Sequence, residues 1–161
     1  MKFVKAGWNP DLESFHTDAH PYLDELPKLR GELPPGAWAF ASDPDHYSMR
    51  STRCVKDLKL AGIQMATDKS GTLTLEFAPN EFKHDSGLTI RYTKVNHLSI
   101  DYRNEIDWMQ ADEVLLDEIL PDGQGGCVHE IALTDASLVV RSEDLKAVWR
   151  TVGSDSDHSP Q

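Results

Sequence analysis

The chain has 161 residues, 39% of them hydrophobic and 27% charged, with a net charge of −11. That length predicts one domain, large enough to hold a core without staples, and two cysteines, Cys54 and Cys127, are too few for a disulfide framework. No run approaches the ~18 consecutive apolar residues of a membrane span, and MKFVKAGWNPDLESFH lacks the apolar stretch of a secretory signal, so a cytoplasmic protein is expected.

The charge is unevenly placed: residues 1–50 carry −3, residues 51–110 carry 0 and residues 111–161 carry −8. Phosphate binding needs clustered Lys and Arg, so nucleic acid and anionic membranes are poor partners for such a chain. A basic protein is a plausible one, although net charge also serves plain solubility.

Residues 1–50 read as an irregular part, because Pro10, Pro21, Pro27, Pro34, Pro35 and Pro44 each bar helix interiors and central strands. A short helix fits YLDELPKLR (22–30), with Pro27 interrupting it, and GELPPGAWAFA reads as a turn followed by a short strand over 37–41. Residues 55–65 have strand content, and DKSG (68–71) is a turn by composition. TLTLEFA gives the clearest period-2 pattern, with Leu73, Leu75 and Phe77 on one face. In LTIRYTKVNHLSIDY the alternation of Leu88, Ile90 and Tyr92 changes parity at Val95, which predicts a bulge or bend near Lys94. RNEIDWM (103–109) fits a turn of helix.

EVLLDEIL (113–120), CVHEIALT (127–134) and SLVVRS (137–142) then follow in close succession, separated by PDGQGG and DA, and predict an antiparallel meander. SEDLKAVWR reads as a helix, with Ser142 as N-cap, Glu143 and Asp144 in its first turn and Leu145, Val148 and Trp149 as its apolar stripe. The expected fold is α+β and mainly β: a twisted antiparallel sheet with that C-terminal helix packed on it, or a half-open barrel. It forms one domain over residues 1–152, with a disordered tail at 153–161.

Cys127 and His129 share one face of their predicted strand, and both residue types are zinc ligands. Glu130 points the other way. Two ligands do not make a site, and Cys127 equally suits a buried apolar position. If the strands flanking PDGQGG pair, Asp117 and Glu118 approach His129 and Glu130, and such neighbours perturb one another's proton affinity. His16, Asp18 and His20 form a second candidate ligand set, of the two-histidine, one-carboxylate kind. His46, Tyr47, Arg50 and Arg53 suggest the mouth of a polar pocket for an anionic group, or a clamp of the arginines onto Asp43 and Asp45. Trp8, Trp38, Trp108 and Trp149 are expected as core or staple residues rather than as a ligand platform. There is no GxGxxG, no P-loop and no GxSxG, so nucleotide, flavin and serine-hydrolase readings have no support. No catalytic set and no cofactor site are assigned.

DPDHYSMRSTRCVKDLKL, TLTLEFAP, LTIRYTKVNHLSI, LLDEIL, VHEIAL and SEDL, taken in order, resemble small uncharacterised bacterial proteins of the immunity-protein type. The resemblance covers about residues 40–150. It implies a meander whose acidic surface serves partner binding, and it carries over no catalytic residue. The first expectation is therefore a non-enzymatic module that docks a basic protein through Asp112, Glu113, Asp117, Glu118 and Glu130. The alternatives are a small metal-dependent enzyme or metal-binding domain using His129 and Cys127 with Asp117, or His16, Asp18 and His20, and a structural subunit that forms a homo-oligomer.

Overall fold

Alternating apolar residues along the second half of the chain demand a shared interior, and two sheets supply it. The computed structural model describes residues 1–103 and 112–151. A hairpin, β1 (Lys5–Asn9) and β2 (Ser14–Asp18), is followed by helices α1 (His20–Leu29) and α2 (Pro35–Ala41). Strands β3 (Lys59–Met65), β4 (Leu73–Ala78), β5 (Ser86–Thr93), β6 (His97–Tyr102), β7 (Val114–Pro121), β8 (Cys127–Leu133), β9 (Ala136–Ser142) and β10 (Asp144–Thr151) complete the chain. All pairings are antiparallel. One four-stranded sheet has the order β10-β5-β4-β3, the other β6-β9-β8-β7, and neither closes into a barrel.

The inner face of the first sheet is built from cross-strand rows. Leu73, Tyr92 and Leu145 form one, Leu75, Ile90 and Ala147 the next, and Phe77, Leu88 and Trp149 the third. The second sheet answers with Ile131, Leu138 and Val140, which join the same buried cluster. The meander β7-β8-β9 forms as its sequence predicts. Its tight connection suits the composition, since Gly123 and Gly125 take positive φ (77° and 93°) and Asp122 accepts hydrogen bonds from the Gln124 and Gly126 amides at 2.7 and 2.9 Å.

Four expectations need correction. Residues 35–41 form a helix rather than a strand: Pro35 opens α2, where its fixed φ suits a first turn, and the carboxylate of Asp144 accepts the Gly36 and Ala37 amides at 3.0 and 2.9 Å. Asp144 therefore caps another element, and SEDLKAVWR is not a helix. It is β10, paired along its length with β5, with Leu145, Ala147 and Trp149 inward and Lys146, Val148 and Arg150 outward. Residues 1–50 are largely regular, holding the hairpin and both helices, and Pro27 lies inside α1. Residues 55–58 precede β3 as turn structure, although Leu58 is buried.

The parity change at Val95 marks a change of sheet. Lys94 adopts φ 48°, β5 ends in the first sheet and β6 begins in the second. The partner segment turns beside it: the Glu143 amide donates to the Thr93 carbonyl and the Asn96 amide to the Arg141 carbonyl, both at 3.0 Å. The helical turn expected at 103–109 and the tail expected at 153–161 fall, apart from Arg103, outside the described residues.

Candidate functional site

A strand covered on both faces reads as a nearly continuous apolar run, and LLDEIL in β7 is such a strand with two carboxylates set into it. Its inner face meets the first sheet. Its other side is covered by the N-terminal segment, the hairpin and α1. Asp117 and Glu118 are each only 2% exposed.

Asp117 lies between the sheets. Its Oδ1 is 2.7 Å from His46 Nε2 and its Oδ2 is 2.7 Å from His129 Nε2. His46 Nδ1 is 2.8 Å from the Phe40 carbonyl and His129 Nδ1 is 2.7 Å from the Tyr92 hydroxyl. The Phe40 carbonyl only accepts, so His46 Nδ1 bears a hydrogen, and a carboxylate at Oδ1 requires one on Nε2 as well. His129 then donates from Nε2, and its Nδ1 shares a hydrogen bond with the Tyr92 hydroxyl. Burial alone would raise the Asp117 carboxyl, but the His46 charge and the hydrogen bonds from His129 and His46 hold it well below the usual carboxylate range. Tyr47 stacks on the His46 ring with centroids 4.1 Å apart and donates to the Asp117 carbonyl at 3.2 Å. Burial, and then the Asp117 charge, push both the Tyr47 and Tyr92 hydroxyls up.

This chain of side chains resembles an acid–base relay in its donors and acceptors. Its setting differs, because His46, Asp117 and His129 are all buried and each polar atom is matched by protein. It ties the first sheet, the second sheet and the segment after α2 into one interior.

Glu118 serves the opposite face. Its carboxylate accepts the backbone amides of Lys2, Phe3 and Val4 at 2.6, 2.6 and 2.7 Å. Glu130, directly across from it in the β7–β8 register, pairs with the Met1 amine. The five acids expected to form one docking face are thus separated. Asp117 and Glu118 are interior and Glu130 engages the first residue. Asp112 and Glu113 lie beside β3, where the Leu60 amide donates to the Asp112 carbonyl and Glu113 is 3.9 Å from Lys59 Nζ.

The pocket expected at His46, Tyr47, Arg50 and Arg53 does not assemble either. His46 and Tyr47 point inward while Arg50 and Arg53 are exposed. The pairing of Asp117 with His129 follows from the β7–β8 hairpin as the spacing suggests. Cys127 does not join them: its Sγ is 3.7 Å from Ser142 Oγ, and burial pushes its thiol up to about 11. His129 has both ring nitrogens engaged by protein. Asp18 accepts from the His20 amide and lies 2.9 Å from its Nδ1, and His16 precedes it by two residues on the same strand, β2. Among the described residues no three His, Cys, Asp or Glu side chains are placed to hold a metal ion. Cys127→Ala is accordingly expected to leave metal content unchanged, and native Cys127 to resist a thiol reagent until the chain is unfolded. Rapid labelling of the folded protein at Cys127 would contradict that.

What the sequence reading misses is the hairpin. Trp8 and Phe15 face each other across β1 and β2, edge to face, with centroids 5.3 Å apart. They remain 53% and 42% exposed, with Leu12 at the tip 66% exposed, so Trp8 is not a core residue. Trp38 and Trp149 are half-buried, and Trp108 lies outside the described residues. No family model matches the chain and no curated protein matches it. No helix among the described residues is long and apolar enough to cross a membrane.

Proposed function

We propose that the protein is a non-enzymatic binding module, of the immunity or inhibitor kind, that docks a basic protein partner through hairpin β1–β2. The observation that carries this is the exposed Trp8–Phe15 pair with Leu12 beyond it. A two-stranded hairpin is marginal on its own, and the cross-strand Trp8–Phe15 pair that supports it still leaves about half of each residue in water, apolar surface that a partner can cover. Tryptophan is also the residue most enriched among energetic anchors at interfaces. The basic character of the partner follows from the exposed Asp11 and Glu13 beside the apolar tip and from the net charge of −11, which accelerates association with a cation-rich surface.

The test is native mass spectrometry on the protein isolated gently from its own cells, alongside a Trp8→Ser/Phe15→Ser variant. Wild type is expected to carry a basic chain that leaves as salt is added. The variant is expected to lose that chain at all salt concentrations, with an unchanged circular dichroism spectrum. A variant that retains the chain, or wild type recovered bare at low salt, rejects the reading.

A further inference from the structure

The outer face of the first sheet has the opposite charge character to the chain as a whole. An open hollow of about 490 Å³ lies across it. One cross-strand row of its floor reads Gln64, Thr74, Arg91 and Lys146, and the next reads Gly62, Glu76, Thr89 and Val148. Arg150 closes one end. Arg91, Lys146 and Arg150 are exposed, and none of them forms an ion pair with a described residue. The last third of the chain holds three cations, Arg141, Lys146 and Arg150, and two of them are placed here.

Arg91 stands directly opposite Lys146 on β5 and β10. Like charges in that relation destabilise a sheet. Glu76 is the acid among the hollow's lining residues, but it leans the other way, and the exposed Asp68 acts on Arg91 only at a distance, without an ion pair. A Cβ built on Gly62 would meet Glu76 Oε2 at 3.3 Å, so the carboxylate rests over the bare backbone of β3. Among the described residues none forms an ion pair with these exposed cations, which stand beside the hydroxyls of Thr74 and Thr89.

The spacing selects the ligand. Lys146 and Arg150 are four residues apart on one strand, roughly 14 Å at the strand rise, beyond the reach of a single small anion. Among the described residues lining the hollow none is aromatic, so a stacking platform for bases or sugar rings is absent. Hydroxyls and an amide suit the backbone groups of a peptide. We propose that this hollow binds an extended acidic polypeptide segment of a partner protein. Carboxylates lie over Arg91 and Lys146 at one end and over Arg150 at the other, with an uncharged stretch between them.

The test uses fluorescence anisotropy at low ionic strength with a labelled synthetic peptide in which three serines separate two glutamates. Wild type is expected to bind it, and Arg91→Gln/Lys146→Gln to weaken binding at least about tenfold, as for loss of a charge-assisted contact. The same variant is expected to melt no lower than wild type, because the facing cations are gone. Glu76→Gln is expected to tighten binding. Binding within twofold of wild type in Arg91→Gln/Lys146→Gln would overturn the proposal. So would equal affinity for a peptide with adjacent glutamates, or equally effective competition by orthophosphate at matched ionic strength. Trp8→Ser/Phe15→Ser is expected to bind the peptide as wild type does, which keeps this site separate from the hairpin.

Discussion

Asp117→Ala is expected to destabilise the protein by about 3–5 kcal/mol, the cost of breaking a buried charge pair by removing one partner. At this chain length that corresponds to a fall of roughly 6–20 °C in Tm. The cause is specific. His46 loses the carboxylate that balances it, and His129 loses its acceptor, both in an interior closed to water. Adding His46→Ala to Asp117→Ala is expected to cost less than the sum of the two single changes, because the uncompensated cation leaves with its side chain. Strictly additive losses in denaturant titrations would show that the two residues are not coupled.

The same network sets an acid limit. The Asp117 carboxyl is held below its usual 3.8 in the folded chain. Its contribution is therefore complete above the unfolded value and is lost as pH falls below it towards the folded one. Wild type is expected to lose stability steeply below about pH 4, and Asp117→Ala to lose less over that interval. Parallel pH profiles for the two proteins would refute the assignment.

Glu118→Ala is expected to cost about 2–4 kcal/mol, since it removes the charged acceptor of three backbone amides. Hydrogen exchange at Phe3 and Val4 should accelerate, and the N-terminal segment should become the first point of proteolysis. Glu118→Gln keeps an acceptor oxygen and should fall between. These outcomes separate an internal role from a docking role. A surface acid that only recruits a basic partner would change association while leaving stability and exchange untouched.

Several of these features were legible before any coordinates. TLTLEFA shows one face to the core and the other to solvent, so its alternation survives in the sequence. The proximity of Asp117 to His129 follows from pairing across PDGQGG. The other members of the network do not follow, because His46 and Tyr92 lie 71 and 37 residues from the atoms they bond, and no local pattern encodes such contacts. The direction of Glu118 was hidden for a related reason: LLDEIL is covered on both faces, so its parity reports nothing about which acid is outside. GAWAFA and SEDLKAVWR each fit two periods over a short span. Packing decided both. Asp144 caps α2 instead of its own segment, and β5 supplies the ladder for β10.

The turn shared by Lys94–Asn96 and Ser142–Glu143 has a kinetic consequence. Strands β5 and β6 run antiparallel to β9 and β10, so one long ribbon supplies strands to both layers and bends between them. Strands β3-β4-β5 and β7-β8-β9 are local meanders, but neither layer is complete until the ribbon closes, pairing β6 with β9 and β10 with β5 across the long intervening chain. Folding must await that distant encounter, which places the chain among slow-folding, high-contact-order proteins. Once formed, the ribbon makes the layers melt together. Tryptophan fluorescence and far-ultraviolet dichroism should therefore trace a single coincident transition.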